Sequence, residues 1–450
     1  MSGLAEILLA RGFNISGSDL VENYLTEKLK KKGVTIYLGQ SKDNISLQVK
    51  KVIVSGAINQ GNAELVKARQ LKIPILSRSE LLGSLMDEKK GIAITGTHGK
   101  TTTSSLISTI FKEAELDPTI LIGGEVKSIG GNAQDGKGKY LIAEACEYQR
   151  AFLDLRPQIG VILNIEADHL DYYTDLDDIE NAFLDFVKNI RKDGFLVAGV
   201  DSPSVTKVIS KTTGRIITYG ISSTEAQWKA VNIRTKKQQL EFDVMKKDQS
   251  LGKFTLRVPG FHNIQNALAA IIVSLECGVK LGTIKSSINK FQGALRRMEL
   301  KGEQDGILVF DDYAHHPSEI KSTLSGLRNF YPNRKIFCVF QPHQYSRTKY
   351  LMTNFGESFK EADVTIIPEI YAVRDTKADI EAVSGEDLTG EIKKKGQEAY
   401  YIPSFPDCVK FLKEKATDGD IIITMGAGPV NKIAEDFLGK KATQRKLSNV

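Results

Sequence analysis

Three successive α/β domains, each built on an open and mainly parallel sheet, are the fold class that this sequence predicts. Short runs rich in valine and isoleucine alternate with helical patterns along most of the chain, as expected of strands buried between helices. The length of 450 residues suffices for about three domains of ordinary size. The texture breaks once, at residues 226–258, where "WKAVNIRTKKQQLEFDVMKKDQSLGKFTLRV" roughly alternates polar and apolar positions. No long helix fits there, so a small antiparallel meander is expected.

Taken in order, the first block spans residues 1–88. Strand candidates "NISGSD", "VTIYLG", "KVIVSGAI" and "IPILSRS" alternate in it with helices such as "VENYLTEKLKKKG", up to the charged turn "DEKKG". The second block, 89–292, opens on "GIAITGT" and continues through "YLIAEAC", "IGVILNIEADH" and "GFLVAG", with "DLDDIENAFLDFVKNI" helical between them. The meander follows, and the helix "NIQNALAAIIVSLECG" closes the block. In the third, 293–450, "ILVFDDYAHHP", "KIFCVFQPH", "DVTIIPEI", "EAYYIPS" and "DIIITMGAG" are each followed by a helical pattern, which predicts a second open α/β sheet.

Composition narrows the function. The chain is 41% hydrophobic and 26% charged, and its 61 basic against 55 acidic residues give +6, spread along the sequence. Such a balance suits small phosphorylated ligands, whereas a nucleic-acid track needs clustered charge. Only the tail "KKATQRKLSNV" is locally basic, and it is expected to be a solvated end. Cys146, Cys277, Cys338 and Cys408 lie far apart, which suggests neither a zinc site nor a disulfide frame and fits a reducing cytoplasm. No apolar run approaches the roughly 20 residues of a membrane span, and no signal segment opens the chain, so a soluble cytoplasmic protein is expected.

The chemistry is concentrated in "GIAITGTHGKTTTS". A Walker A loop reads G-x-x-x-x-G-K-[ST], but the position five before Gly99 is Ile94, so this turn is tighter. Gly96 and Gly99 let the backbone approach an anion, and the helix starting there offers N–H groups to phosphate oxygens. Lys100 supplies a point charge for the outer phosphates, and Thr101 an oxygen for magnesium. Glu144, at the end of "YLIAE", and Asn164, Asp168 and His169 in "NIEADH" sit where open α/β sheets place their ligands. His169 is equally readable as a metal ligand or as a structural imidazole. All six histidines (His98, His169, His262, His315, His316 and His343) fall beside strand or helix ends, which suggests that several line one cleft; His316 is also a candidate helix cap.

"TGTHGKTTTS", "AEACE", "NIEADHLDYY", "GFHNIQNALAA", "DDYAHHPSEI", "FQPHQYSRT" and "MGAGPV" resemble, in this order and over almost the whole chain, the motifs of the Mur ligases. That resemblance implies a Rossmann-like first domain for the UDP sugar, a central P-loop-like ATP domain and a Rossmann-like third domain near which the amino acid binds. It implies ATP-dependent joining of L-alanine to the lactyl carboxylate of UDP-N-acetylmuramate, through an acyl phosphate and with domain closure, in peptidoglycan precursor synthesis. The implied ATP site comprises Gly96, Thr97, His98, Gly99, Lys100, Thr101 and Thr102, then His262, Asn263 and Asn266, with Arg297 and Asp312 closing it. Magnesium ions would be held by Thr101 and Glu144 and by His169. Tyr313, His315, His343 and Arg347 would orient muramate and alanine, with His343 as general base. Lys100, Glu144, His169, His343 and Arg347 would carry the catalysis. No nucleic-acid or membrane partner is implied, and a monomer or weak homodimer is expected.

Two departures stand out. The family opens on a strand and a loop of the form G-I-G-G-x-G-M-S-G, whereas this chain starts "MSGLAEILLARG", so the first strand of the first domain is expected to be missing and the true start to lie upstream. Ser2, Gly3, Ser18, Asp19 and Ser55 remain as UDP-sugar contacts. Gln344 stands where many relatives carry a basic residue. Rival readings are a ligase that recycles a murein tripeptide, a dinucleotide-dependent oxidoreductase, disfavoured because no G-x-G-x-x-G follows an early strand, and a non-catalytic relative.

Overall fold

The computed structural model describes residues 1–439 except 127, 171, 237 and 374; the basic tail lies outside the described residues. Two compact units result: Met1–Val231 with Asp243–Phe254 and Gln265–Asn289, and Asn232–Phe242 with Thr255–Ile264 and the chain from Lys290 onward.

In the first unit, strand Lys90–Thr95 is central. It pairs in parallel with Tyr140–Glu144 on one side and Ile159–Ile162 on the other. Thr119–Val126 and the antiparallel Gly131–Gln134 extend the sheet beyond Tyr140–Glu144, and Phe195–Gly199 and Ile216–Gly220 extend it beyond Ile159–Ile162. The meander strands continue from that edge, where Trp228 and Lys229 pair in parallel with Tyr219 and Gly220. The predicted antiparallel element therefore grows out of the main sheet. Ile92, Ala93, Ile94, Leu141, Ile142, Val161 and Ile162 are fully buried, which explains their uninterrupted apolar runs. Helix Leu176–Lys188 covers one face: Phe183 and Phe186 pack against Phe152, Phe186 stacked at 5.1 Å.

The N-terminal block forms two separate two-stranded parallel sheets, Ser16–Asp19 with Thr35–Leu38 and Val52–Val54 with Ile75–Ser77. Helix Ser2–Ala10 lies on the large sheet, where a Cβ at Gly3 would crowd Leu121 and Ala133. Just beyond that helix, Arg11 bridges Asp135 at 3.1 Å and Glu88 at 2.8 Å. A capping box of Ser77 and Glu80 starts helix Arg78–Asp87, which leads into the central strand.

The second unit holds a six-stranded sheet in the order Glu299–Gln304, Ile307–Asp312, Ile421–Met425, Ile336–Phe340, Val364–Ile367 and Ala399–Tyr401. Only the first of these pairs antiparallel. Among the described residues no helix is long and apolar enough to cross a membrane.

Asp201, past the end of strand Phe195–Gly199, ties the sheet of the first unit to helix Phe261–Glu276. It accepts from the N–H groups of Ile221, Ser222 and Ser223, from Ser222 Oγ and from Gln265 Nε2, at 2.7–3.0 Å. Burial pushes its carboxyl up, but these hydrogen bonds outweigh it and hold the group below the usual aspartate range. Replacing Asp201 by alanine should cost about 1 kcal/mol, because several part-buried donors lose their shared acceptor. Since the folded state holds the carboxylate more strongly than the unfolded chain does, this advantage is present above pH ~3.9 and fades as pH falls through the lowered range. Urea midpoints of the chain and of Asp201→Ala should therefore converge in acid.

Candidate active site

The C-terminal ends of the three central strands bring Gly96, Glu144 and the segment from Leu163 to Asn164 side by side, since Ile94 stands opposite Glu144 and Thr95 opposite Ile162. Gly96 and Gly99 have φ of +137° and +87°, conformations that disfavour other residues. Gly99 is the N-cap of helix Lys100–Glu113, and a Cβ at that position would collide with Asn266 Oδ1. Having no side chain, the cap leaves first-turn N–H groups to an incoming anion.

Asn164 braces this turn. Its Oδ1 accepts from His98 N at 2.8 Å, its Nδ2 donates to His98 O at 3.2 Å, and its carbonyl accepts from Thr97 N. Thr97 Oγ1 accepts from Glu166 N at 2.9 Å, and His98 Nε2 lies 3.3 Å from Glu166 Oε2. Thr101 and Thr102 are buried in the first helical turn.

Lys100 Nζ donates to the carbonyls of Gly96 and Thr97 and meets both oxygens of Glu147 at 2.9 Å. Burial disfavours the ammonium, but the Glu147 carboxylate overrides that and holds it above the ordinary lysine range. His169, at φ +56°, places Nε2 3.7 Å from Glu147 Oε1 and 3.8 Å from Asp168 Oδ2, with its ring against Tyr148 at 4.8 Å. Glu144 Oε1 accepts from Gly123 N at 2.7 Å. The structure thus joins Lys100 and His169 through Glu147, which the sequence reading passed over. The signal was present: Glu147 is the second carboxylate of "AEACE".

In the second unit, the Tyr313 ring lies 5.1 Å from the guanidinium groups of both Arg296 and Arg297. The rings of Tyr313 and His315 are 5.5 Å apart and those of His315 and His343 6.1 Å, while Arg347 Nη1 reaches His343 Nδ1 at 3.2 Å. Arginine can only donate, so Nδ1 of His343 is the acceptor and its proton sits on Nε2. His315 has the opposite arrangement: Nδ1 lies 3.0 Å from the Tyr313 carbonyl, donates to it, and puts the basic lone pair on Nε2. The two imidazoles thus hold opposite tautomers, which bears on the general base expected at His343. His316 caps helix Pro317–Phe330 through a capping box with Glu319.

Gln344, at φ +72°, is buried and donates through Nε2 to Val373 O at 3.2 Å, so its amide serves the chain itself. Asp312 is similar. Its oxygens accept from Met298 N at 2.6 Å and Ala314 N at 2.8 Å, and Arg297 lies 3.9 Å from Glu319. Asp312, expected from the sequence at the nucleotide, uses these hydrogen bonds to anchor the segment that carries Arg297. Asn263 Nδ2 donates to Pro259 O at 2.6 Å, and the neighbouring His262 is half-buried.

Among the UDP-sugar candidates, Gly3 is buried in helix packing beside half-buried Ser2. Ser18 Oγ donates to Glu64 at 2.8 Å, the Asp19 carbonyl accepts from Gly39 N, and Ser55 Oγ accepts from Ala57 N at 3.3 Å.

Comparison with known proteins decides the family. The chain is 46% identical over 444 residues, covering 98% of it and 94% of the relative, to the UDP-N-acetylmuramate–L-alanine ligase of Acetivibrio thermocellus, and 47% identical over 441 residues, 98% and 95%, to that of Clostridium acetobutylicum. It belongs to the Mur ligase family. The descriptions "Mur ligase family, catalytic domain", "Mur ligase middle domain" and "Mur ligase, glutamate ligase domain" match residues 1–90, 94–274 and 296–428 of this Mur ligase. A UDP-N-acetylmuramate-alanine ligase structure from Thermotoga maritima superposes with a TM-score of 0.84 at 27% identity, covering 98% of this chain and 96% of that one. A murein peptide ligase from Psychrobacter arcticus reaches 0.72 at 25%, with the same coverage. The three-domain Mur ligase fold is thereby shown, and with it an ATP-dependent family.

The residues present fit a magnesium nucleotide. The glycine turn, the helix N-terminus and Lys100 suit its phosphates, and the Thr101 hydroxyl and Glu144 carboxylate are hard oxygen donors.

Two outcomes test this geometry. Gly99→Ala should lower nucleotide affinity about tenfold or more while far-UV circular dichroism stays unchanged, because the left-handed cap and the contact with Asn266 admit no Cβ. Burial pushes the Asp312 carboxyl up to about 6, against the pull of the Arg297 charge and of two N–H donors. The folded chain therefore keeps a proton that the unfolded chain loses near pH ~3.9, so this group's contribution to stability falls as pH rises from there to 6. The denaturant midpoint of Asp312→Asn, followed over the same range, should lack that fall.

Proposed function

We propose that this Mur ligase joins L-alanine to the lactyl carboxylate of UDP-N-acetylmuramate, with ATP converted to ADP and phosphate. The observation that carries this reading is 46–47% identity, along 98% of the chain, to relatives named for that reaction. The site chemistry supports it. A carboxylate is a poor electrophile because its leaving group would be oxide, and transfer of the γ-phosphoryl to it supplies phosphate as the leaving group. Gly96, Gly99 and the first turn of helix Lys100–Glu113 would hold the phosphates, and Lys100 would neutralise charge as the phosphoryl moves. Bound magnesium, held by Thr101, Glu144 and His169, would supply further neutralisation of the phosphate oxygens.

On the second unit, His315 would take the proton from the alanine ammonium through Nε2, while Nε2–H of His343 and the Arg347 guanidinium orient an anionic group. The amine then attacks the acyl carbon and phosphate departs. Arg297, Asp312, His262, Asn263 and Asn266 would complete the nucleotide site. Ser2, Gly3, Ser18, Asp19 and Ser55 would face the UDP sugar, and Tyr313 the acyl acceptor. Domain divisions at residues 88 and 292, a cytoplasmic setting and a monomer or weak homodimer, with neither nucleic acid nor membrane as partner, belong to the same reading.

Phosphate release in the presence of UDP-N-acetylmuramate should be strong with L-alanine and weak with L-Ala-γ-D-Glu-diaminopimelate. The reverse preference would assign the chain to murein tripeptide recycling. Lys100→Ala should lose nucleotide turnover with its fold intact.

A further inference from the structure

We propose that Glu147 is a positioning residue: an internal counter-anion that holds the Lys100 ammonium aimed into the glycine turn and is exchanged for the terminal phosphate of the nucleotide. The inference rests on the reading that Lys100 meets a phosphate. Lys100 has three N–H donors, and the structure spends them on two backbone carbonyls and the Glu147 carboxylate. A phosphate oxygen gains a hydrogen bond from Lys100 only by displacing one of these acceptors. The carbonyls of Gly96 and Thr97 belong to the turn itself, which Asn164 braces. The side-chain carboxylate is the acceptor that can move.

The surroundings of Glu147 fit an exchange and not a fixed strut. Its backbone is pinned: its carbonyl accepts from Tyr173 Oη and from Arg150 N at 2.9 Å, and Arg150 pairs with Asp178 and lies over the Tyr173 ring. Two and three positions further on, Gln149 and Arg150 both have left-handed backbones, with φ of +53° and +56°, so the segment is held in a strained conformation by its contacts. Only the side chain is left to swing. Glu147 is 3% exposed, so its carboxylate cannot be abandoned there uncompensated, and His169 Nε2, 3.7 Å from Oε1, stands beside it as a second neighbour. Glu147 therefore opposes nucleotide binding by competing for Lys100, and in return keeps the ammonium desolvated and oriented before the phosphate arrives.

Titration with a fluorescent ATP analogue, with and without magnesium, tests this on the full chain and on Glu147→Gln and Glu147→Asp. The expected result for both variants is nucleotide binding about tenfold tighter under both conditions, since a competing charge has been removed or shortened out of reach. In steady-state assays the KM for ATP and kcat should fall together, because the phosphate is held more tightly while Lys100 is less well placed. Glu147→Asp keeps the charge and guards against a folding defect in Glu147→Gln. Unchanged or weaker nucleotide binding in both variants would overturn the proposal, as would a loss of affinity seen only with magnesium, which would make Glu147 a metal ligand. Should Lys100→Ala bind nucleotide as well as the unaltered chain, it is the phosphate reading of the loop that fails.

Discussion

The ion pair between Lys100 and Glu147 is the contact around which the nucleotide loop is organised. A lysine ammonium taken out of water needs every N–H satisfied and its charge matched, or the site loses several kcal/mol. The tight glycine turn supplies two carbonyls, and the neighbouring strand end supplies the carboxylate. The loop is shorter than a Walker A turn because its shape does not rely on intervening residues alone. Asn164, from the adjacent strand, closes it from outside with both ends of its amide.

The same logic recurs elsewhere at larger scale. Asp201 gathers donors from three consecutive N–H groups and from helix Phe261–Glu276, and so sets the position of Asn266 against Gly99. Asp312 does the equivalent in the second unit for the segment that bears Arg297. Polar side chains thus hold the backbone on which the chemistry stands. Withdrawing them from water, Asp312 fully and Asp201 in part, is tolerable because each accepts several hydrogen bonds.

What could be read from the sequence follows from the range of the forces involved. "GIAIT", "YLIAE" and "IGVIL" announce themselves as strands because both faces are covered, which leaves no polar alternation to confuse them. The glycine turn is equally plain, since backbone conformation selects residue type locally. The edge strand Glu299–Gln304, with the sequence "ELKGEQ", escaped notice because a sheet edge imposes no hydrophobic pattern, and Thr119–Val126 because its short apolar run breaks at paired glycines. Glu147 was missed for another reason: its partner is 47 positions away and only the fold brings them together. The assignment of a base between His343 and His315 likewise depends on which carbonyl or guanidinium each ring faces, and no spacing rule encodes that.

The short helix at the start of the chain carries a mechanical implication. Gly3 lets Ser2–Ala10 settle directly on Leu121 and Ala133, and Arg11 is clamped to Asp135 and Glu88 at its far end. A rotation of the N-terminal block against the central sheet would have to unseat the first contact and sever the second. The block and the sheet should consequently travel as one lever, so that any hinge the reaction needs must lie further along the polypeptide.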